Sequence, residues 1–342
     1  MTPRGVGEDD HARFERPRRR TRPRTKIRPD YSDAVVGMVI TIDRGRYTCL
    51  VDDHEVTAAK ARQLGRKGVI VGDRARLVGD VSGDEGTLAR VVEVLDRQTV
   101  LRRTADDDDP YERPIVANAD QLVIVTALAD PQPRTGMIDR CLVAGYDAGL
   151  DPLLCLTKAD LASPDELIAM YGPLDVPIEI TSPGADLDSL RERLAGRRSV
   201  FVGHSGVGKS TLVNALIPDA NRSTGSVNEV TGKGRHTSTA AYALQLPPID
   251  PSTSSGPSSA EPGEGPGWVI DTPGVRSFGL SHVSRDRIVA AFDDLERFVA
   301  DCPRGCPHDT GAEDCGLDAA VERGDLSAAR LESFRRMITT DQ

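Results

Sequence analysis

The chain has 342 residues, a formal net charge of −10 and 38% hydrophobic residues, so it is long enough for two or three domains with separate cores. The acidic balance argues against a surface that binds nucleic acid throughout. Because no stretch approaches the roughly 18 apolar residues of a membrane helix, and no secretory signal is recognisable, we expect a cytoplasmic protein without a membrane contact.

The first 33 residues are predicted to be a disordered basic arm. Arginine and lysine occupy most positions from 16 to 26, with almost no acidic or apolar residue among them. Such a run cannot bury a core. It either solubilises the chain or anchors it to a phosphate backbone.

Residues 34–105 are predicted to form short strands separated by turns. The strands are expected at Val35–Ile40, Arg46–Val51, Gly68–Val71, Arg74–Val78 and Leu88–Val94. Five short strands at this spacing indicate a small closed barrel of the OB type, a fold often used on nucleic acid. A barrel without a ligand fits the pattern equally well. The stretch Arg102–Pro110 is typical of a linker.

From residue 106 to 284, apolar strands alternate with helical stretches, which predicts an α/β domain with a mainly parallel sheet. Residues 247–267 are rich in Pro, Ser, Gly and Glu and are predicted to be a flexible insertion. The expected strands are Gln121–Ala127, Pro152–Leu156, Ala240–Leu246 and Trp268–Ile270, and the expected helices are Met137–Ala148 and Leu187–Leu194.

A phosphate-binding loop follows the apolar run Ser199–Val202. Its glycines allow successive backbone N–H groups to point at phosphates, and the following helix adds the positive end of its dipole. Lys209 is expected to reach the β and γ phosphates, and the Ser210 hydroxyl to bind Mg²⁺. The nucleotide-contacting residues are Gly203, His204, Ser205, Gly206, Val207, Gly208, Lys209, Ser210 and Thr211.

The sequence Asp-Thr-Pro-Gly at 271–274 matches the DxxG element and directly follows the strand Trp268–Ile270. Asp271 is expected to hold the Mg²⁺ shell, and the backbone at Gly274 to sense the γ-phosphate. The next residue is Val275, where Ras-like enzymes place a glutamine that orients water. Slow intrinsic hydrolysis is therefore expected.

Thr157, Lys158 and Asp160 resemble the guanine-specificity motif NKxD at the end of a strand. Asp160 can accept hydrogen bonds from the N1 and N2 edge of guanine, which adenine does not offer, and the Lys158 stem can cover the ring. Thr157 replaces the asparagine that normally ties this loop to the phosphate loop, but its hydroxyl can keep one hydrogen bond. Ser182 lies in the loop expected to contact guanine O6.

These motifs occur in an unusual order. In ordinary GTPases the phosphate loop comes first and the guanine motifs last, whereas here the guanine motifs precede both the phosphate loop and DxxG. A circularly permuted domain with GTP and GDP as its nucleotides is therefore predicted. Permutation leaves a site intact when the original termini lie close together.

Cys302, Cys306, His308 and Cys315 have the spacing of metal ligands and not that of a disulfide framework. Three thiolates and one imidazole complete a tetrahedral Zn²⁺ shell, so a structural zinc site is predicted; unrelated free thiols are the alternative. The other three cysteines are scattered singly in apolar contexts and are predicted to be reduced core residues.

The motif order, the preceding barrel, the trailing cysteine cluster and the run Gly234–Thr239 together resemble the ribosome small subunit-dependent GTPase family, known as RsgA or YjeQ. The resemblance covers roughly residues 34–338. It implies an α/β fold: a circularly permuted P-loop GTPase domain, an N-terminal OB-type β-barrel and a C-terminal helical zinc-binding domain. It also implies GTP hydrolysis in late maturation of the small (30S) ribosomal subunit, stimulated by that subunit and with contacts to 16S rRNA.

The resemblance further implies that His236, in the presumed switch I, orients water once the ribosome orders that loop. One hydroxyl among Thr237, Ser238 and Thr239 is expected to close on Mg²⁺, and the chain is expected to be a monomer. Two other functions fit the motifs: a binding checkpoint timed by its nucleotide, and a generic P-loop ATPase or small-molecule kinase. The predicted segments are 1–33 (arm), 34–105 (barrel, RNA-binding), 106–284 (GTPase) and 285–342 (zinc-binding).

Overall fold

The structure is a computed structural model that describes residues 30–65, 68–104, 113–218, 241–248, 267–273, 288–289 and 292–339. The predicted arm up to residue 29 and nearly all of the predicted insertion 247–267 lie outside these ranges. Among the described helices, none combines the length and the apolar character needed to cross a bilayer.

Five strands near the N-terminus close into a barrel, as the sequence predicted. Their order is β1-β2-β3-β5-β4, and β4 pairs back with β1. Only the β3–β5 pair is parallel. Alternate side chains such as Val39, Cys49 and Val91 are fully buried inside it, as the two-residue period of a strand requires. The strands are β1 (Val35–Asp43), β2 (Arg46–Val51), β3 (His54–Lys60), β4 (Arg74–Gly79) and β5 (Ala89–Val94).

One predicted barrel strand is wrong, and another was missed. Gly68–Val71 is not a strand, because the Ile70 N–H donates to the Asp73 carboxylate at 2.8 Å and closes a turn; Val71 makes only an isolated bridge. The missing strand is β3, in which Val56 and the small Ala58 are buried and the exposed His54 and Glu55 are polar. That composition carries little of the β-branched and aromatic signal by which strands are recognised.

A two-stranded hairpin follows the barrel, where the sequence predicted a linker. It consists of β6 (Val100–Arg103) and β7 (Arg113–Ala117). Leu101 pairs with Val116, and both are buried. The prediction of a linker is therefore wrong at Arg102 and Arg103, while residues 105–112 lie outside the described ranges.

The second half of the chain builds a mainly parallel sheet in the order β10-β9-β8-β11-β13-β12. All neighbours are parallel except β12 and β13. The phosphate-loop strand β11 therefore lies at the centre, between β8 and β13, and the end of β13 carries Asp271. The strands are β8 (Gln121–Ala127), β9 (Asp151–Thr157), β10 (Ile178–Ile180), β11 (Arg198–Gly203), β12 (Tyr242–Gln245) and β13 (Trp268–Asp271).

Helices cover both faces of this sheet. Leu122 and Ile124 of β8 share a buried cluster with the helix that follows that strand. Val123 and Val125 of the same strand belong to the cluster on the opposite face. Strands buried on both faces explain the continuous apolar runs in the sequence. The helices are α1 (Thr135–Asp147), α2 (Asp165–Tyr171), α3 (Asp188–Leu194) and α4 (Lys209–Leu216).

Three further helices pack onto the α1 side of the sheet: α5 (Asp293–Val299), α6 (Gly316–Glu322) and α7 (Ala328–Thr339). Phe334 of α7 is fully buried, and Phe292 lies with its ring centroid 4.4 Å from that of Tyr146. Arg336 donates to the buried Asp139 of α1 at 3.2 Å. Burial nevertheless keeps the pKa of Asp139 above its usual range.

Strand β12 connects the barrel to the parallel sheet. It is antiparallel to β13 on one side and meets β1 of the barrel on the other, where Tyr242 pairs with Thr41. All elements from Ala34 onward belong to one compact unit. The barrel is therefore joined by backbone pairing to the strands that carry the candidate site.

Candidate functional site

The glycines of the phosphate loop are there because the backbone conformation demands them. Gly206 and Gly208 have φ angles of 87° and 88°, which L side chains rarely adopt. A Cβ at Gly203 would lie 2.6 Å from the Val125 carbonyl oxygen, so β11 and β8 could not approach as closely. The loop then leads into α4, whose first turn exposes Ser210 and Thr211.

Lys209 lies inside the site and not at its rim. It is 7% exposed, and its Nζ donates to Asp271 Oδ1 and to the Thr272 carbonyl. Asp271 is 5% exposed and 62 residues away in sequence. The parallel pairing of β11 with β13 brings the two together. The structure thus places a buried cation beside the carboxylate that the sequence assigned to Mg²⁺.

Tyr242 is a contact that the sequence did not predict. Its hydroxyl donates to Asp271 Oδ2 at 2.8 Å. Burial and the neighbouring Asp271 raise its pKa, so the hydroxyl keeps its proton at neutral pH. The two residues face each other across the β12–β13 pair, a register that cannot be read from a sequence in which 29 positions separate them.

The guanine-type loop is tied to the phosphate loop by a side chain. The hydroxyl of Thr157, at the end of β9, donates to the Val207 carbonyl at 2.5 Å. This is the single hydrogen bond expected when threonine replaces asparagine. A substituent on Gly208 would lie 3.7 Å from the Thr157 hydroxyl oxygen, so the two loops are also in van der Waals proximity.

The remaining guanine-side residues cluster at the same edge of the sheet. Lys158 has a φ of 58°, and its Nζ donates to the Asp130 carbonyl in the turn after β8. Asp160 is exposed, as its predicted contact with a base requires. The Ala159 N–H donates to the Thr181 carbonyl at 3.2 Å, which holds the Ser182 loop beside the Asp160 loop.

The other predicted nucleotide-binding residues of the phosphate loop differ in exposure and contacts. His204 has its Nδ1 2.8 Å from the Ser205 carbonyl oxygen. Ser205 and Gly206 are exposed, and Val207 is buried beneath the loop. Five predicted site residues, with Val275, lie outside the described ranges: His236, Thr237, Ser238, Thr239 and Gly274.

The four predicted metal ligands come together. The ligand atoms of Cys302, Cys306, His308 and Cys315 all lie within 4.8 Å of one another. Burial, followed by the neighbouring Cys315 and Cys306, raises the pKa of Cys302 to about 11, because adjacent thiolates repel one another. A cation would relieve that repulsion. Three sulfurs and one nitrogen at this separation match the tetrahedral donor set that suits zinc, so the residues present fit such an ion.

Arg335 of α7 braces this cluster, and it too was missed by sequence reasoning. It donates to the His308 carbonyl at 3.0 Å and to both carboxylate oxygens of Asp318 at 2.7 Å. The hydrogen bonds lower the pKa of Asp318. His308 has a φ of 57° and is 4% exposed, so the loop that carries it is held in a strained, buried conformation.

This chain is similar to known proteins over most of its length. The family model described as RsgA GTPase matches residues 94–281. The protein named small ribosomal subunit biogenesis GTPase RsgA from Ectopseudomonas mendocina (strain ymp) is 40% identical over 237 residues, 67% of this chain and 64% of that protein. The one from Pseudomonas aeruginosa (strain LESB58) is 38% identical over 283 residues, 78% of this chain and 77% of that protein. The alignment with the first therefore spans just under two thirds of that relative.

Solved structures agree with the fold. The crystal structure of YjeQ from Thermotoga maritima has a TM-score of 0.62 and 25% identity, covering 90% of this chain and 98% of that one. YloQ, described as a circularly permuted GTPase, has a TM-score of 0.60 and 23% identity, covering 91% of this chain and 96% of that one. The predicted permuted fold is thereby confirmed, and the chain belongs to the RsgA GTPase family.

Proposed function

We propose that this chain hydrolyses GTP and acts in maturation of the small ribosomal subunit. The observation that carries the proposal is the pairing of Lys209 with Asp271 directly beside a guanine-type loop bonded to the phosphate loop through Thr157. One edge of the sheet thus offers groups for a base, for phosphates and for a cation. The names of the relatives supply the ribosomal part of the proposal.

Guanine is the base that fits this edge. Asp160 is exposed at the end of the β9 loop, and a carboxylate can accept both hydrogen bonds from the N1 and N2 edge of guanine. Lys158 covers the ring and Ser182 meets O6. The Thr157 hydrogen bond keeps the base-binding loop in register with the phosphate-binding loop, so both ends of one nucleotide can be bound together.

At the phosphates, the chain positions charge instead of forming a covalent intermediate. Lys209 binds the β and γ phosphates, and the backbone N–H groups of residues 203–211 surround them. Ser210 and Asp271 would hold Mg²⁺. When bound, that ion neutralises charge developing on the phosphate oxygens. Both carboxylate oxygens of Asp271 already have protein partners, which favours a fixed orientation for this ligand.

Hydrolysis also needs a group that orients the attacking water. Val275 stands where a glutamine would orient it, so intrinsic hydrolysis is slow. His236 is proposed to orient the water once a ribosomal partner binds, and one hydroxyl among Thr237, Ser238 and Thr239 to close on Mg²⁺. Orientation by a positioned group is a large part of the rate enhancement in such reactions.

The rest of the chain is proposed to contact the ribosome. The barrel in the predicted domain 34–105 and the basic arm 1–33 would bind 16S rRNA, while the helical domain 285–342 would be held by one structural zinc ion. The acidic net charge of −10 confines phosphate binding to local basic segments. We propose a cytoplasmic monomer.

The test is GTP turnover by the full chain with and without purified small ribosomal subunits. Stimulation by small subunits and none by large subunits is expected. Equal rates in all three conditions would contradict the ribosomal part of the proposal. Competition for labelled GTP by excess ATP tests the base: displacement by GDP but not by ATP is expected, and displacement by both would contradict guanine specificity.

A further inference from the structure

Tyr242 occupies the position at which three strands meet. It lies opposite Asp271 of β13 on one side and opposite Thr41 of β1 on the other. Its backbone is therefore held by neighbours on both edges of β12. Because the backbone is fixed on both sides, the Tyr242 side chain begins from a fixed position. A residue that orients another side chain needs such support.

The carboxylate of Asp271 has a different partner on each oxygen. Oδ1 accepts from Lys209, and Oδ2 accepts from the Tyr242 hydroxyl at 2.8 Å. The residue is 5% exposed, so bulk water cannot readily replace either partner. A carboxylate with both oxygens bonded cannot rotate about its terminal bond without breaking a charge-assisted hydrogen bond.

We propose that Tyr242 is a positioning residue for the Mg²⁺-side carboxylate of the nucleotide site. By holding Oδ2, it leaves Oδ1 facing Lys209 and the phosphate loop, where the cation shell of a bound nucleotide belongs. This inference rests on the proposed function, because it gives Tyr242 a purpose only if the site binds a nucleotide with Mg²⁺.

The hydroxyl contributes something that a phenyl ring cannot. Phenylalanine would fill the same space and keep the β12 pairing, but it would remove the donor that Oδ2 has among the described residues. The Asp271 carboxylate would then be free to rotate Oδ2 toward Lys209 and would lose its fixed orientation. The expected consequence is a lower affinity for Mg²⁺, with little change in the affinity for the nucleotide itself.

The experiment uses the full chain bound to a fluorescent GTP analogue and titrates Mg²⁺ into the complex. Tyr242→Phe is expected to raise the Mg²⁺ concentration at half-saturation by about tenfold, the size expected for a lost hydrogen bond to a charged group. Affinity for the analogue in EDTA should change less than about twofold, since the nucleotide contacts do not include Tyr242. Tyr171→Phe, which removes a hydroxyl that donates to the Thr135 carbonyl at the start of α1, should match the unmodified protein in both measurements.

A double-mutant cycle separates positioning from a general structural effect. In an Asp271→Asn background, adding Tyr242→Phe should shift the Mg²⁺ midpoint no further, because Tyr242 acts through Asp271. The proposal is overturned by an unchanged midpoint in the single variant, by equal losses with and without Mg²⁺, or by a variant that does not fold, since the last two give Tyr242 a structural role. Failure of the unmodified protein to bind the analogue would instead contradict the proposed function.

Discussion

The nucleotide site and the cysteine-histidine cluster are assembled in opposite ways. Lys209 and Asp271 are 62 residues apart and meet only because β11 and β13 are neighbours in the sheet. The four metal-ligand candidates lie between residues 302 and 315 and approach one another through a single loop. The nucleotide site therefore depends on the sheet topology. The cysteine-histidine cluster depends on the geometry of one loop and on the ion that it binds.

That difference determines how each site should fail. A site built by topology keeps its residues in place when one ligand-binding side chain is lost, because the strands still pair. The metal loop is held by Arg335 at His308 and, when an ion is bound, by the four ligands around that ion. Perturbing the ion should therefore change local structure, whereas perturbing the nucleotide site should change affinity. The four experiments below test this contrast, from the largest expected effect to the smallest.

Removing the metal should have the largest effect. Structural zinc sites contribute about 10–16 kcal/mol of binding free energy to folding, so a strong chelator is expected to melt residues 292–339 and lower the far-ultraviolet helical signal. GDP affinity should fall by less than about tenfold, equivalent to 1.4 kcal/mol, because β8, β9 and β11 remain paired. Re-addition of Zn²⁺ is the control. Complete loss of GDP binding would show that the two sites share one cooperative unit.

Lys209→Ala should weaken GTP binding but leave the metal cluster unchanged. Each lost charge-assisted hydrogen bond to phosphate costs about 1.5–3 kcal/mol, or roughly a 10- to 150-fold loss of GTP affinity. The variant also leaves Asp271 buried without its cation, which costs about 3–5 kcal/mol of stability. Isothermal titration with GTP and metal analysis of the same sample measure both sites. Lys60→Ala, which removes a half-buried lysine of the barrel strand β3, is the control, and unaltered GTP affinity of Lys209→Ala would contradict the site.

Arg335→Lys tests whether the metal loop depends on its brace. Lysine keeps the charge but cannot donate simultaneously to both Asp318 oxygens and the His308 carbonyl, as arginine does. Loss of an outer contact of this kind typically lowers metal affinity by about 10- to 100-fold. Competition with a chromogenic zinc chelator measures it. Arg323→Lys, whose arginine forms an exposed pair with Asp325, should match the unmodified chain; equal zinc affinities for all three proteins would contradict the role of Arg335.

Thr157→Val should have the smallest effect. It removes the hydroxyl that donates to the Val207 carbonyl at 2.5 Å and keeps the shape of the side chain. A neutral hydrogen bond contributes about 0.5–1.5 kcal/mol, so GTP affinity should fall by about two- to tenfold. Thr157→Ser keeps the hydroxyl and should bind like the unmodified protein. Identical GTP affinities for the Val and Ser variants would show that the hydroxyl does not join the two loops.

What could be predicted from the sequence follows the same contrast. The phosphate loop and the cysteine cluster are local patterns whose spacing implies their geometry, and the structure brings both sets of residues together. The contact between Tyr242 and Asp271 depends on the register of β12, with the predicted insertion between the two residues. No local pattern encodes such a pairing, so it became visible only in three dimensions.

The errors in the fold have similar causes. Gly68–Val71 has a strand-like composition, but the Asp73 carboxylate captures its backbone in a turn. The charged residues Arg102 and Arg103 look like a linker, although Leu101 beside them is buried and pairs across a hairpin. A local turn bond decides the first place and a cross-strand pair decides the second, and in both it outweighs residue propensity.

The sheet order β10-β9-β8-β11-β13 also determines which strands can pair first while the chain is being synthesised. Chains fold from the N-terminus as they emerge, so β8, β9 and β10 can pair, and the Asp160 loop can pack beside the Ser182 loop, before β11 exists. During that interval the edge of β8 that later receives β11 is unpaired and open to another strand. Because of the permutation, the base-binding half of the site can fold first in each newly made chain. The phosphate loop forms later, when β11 pairs with β8.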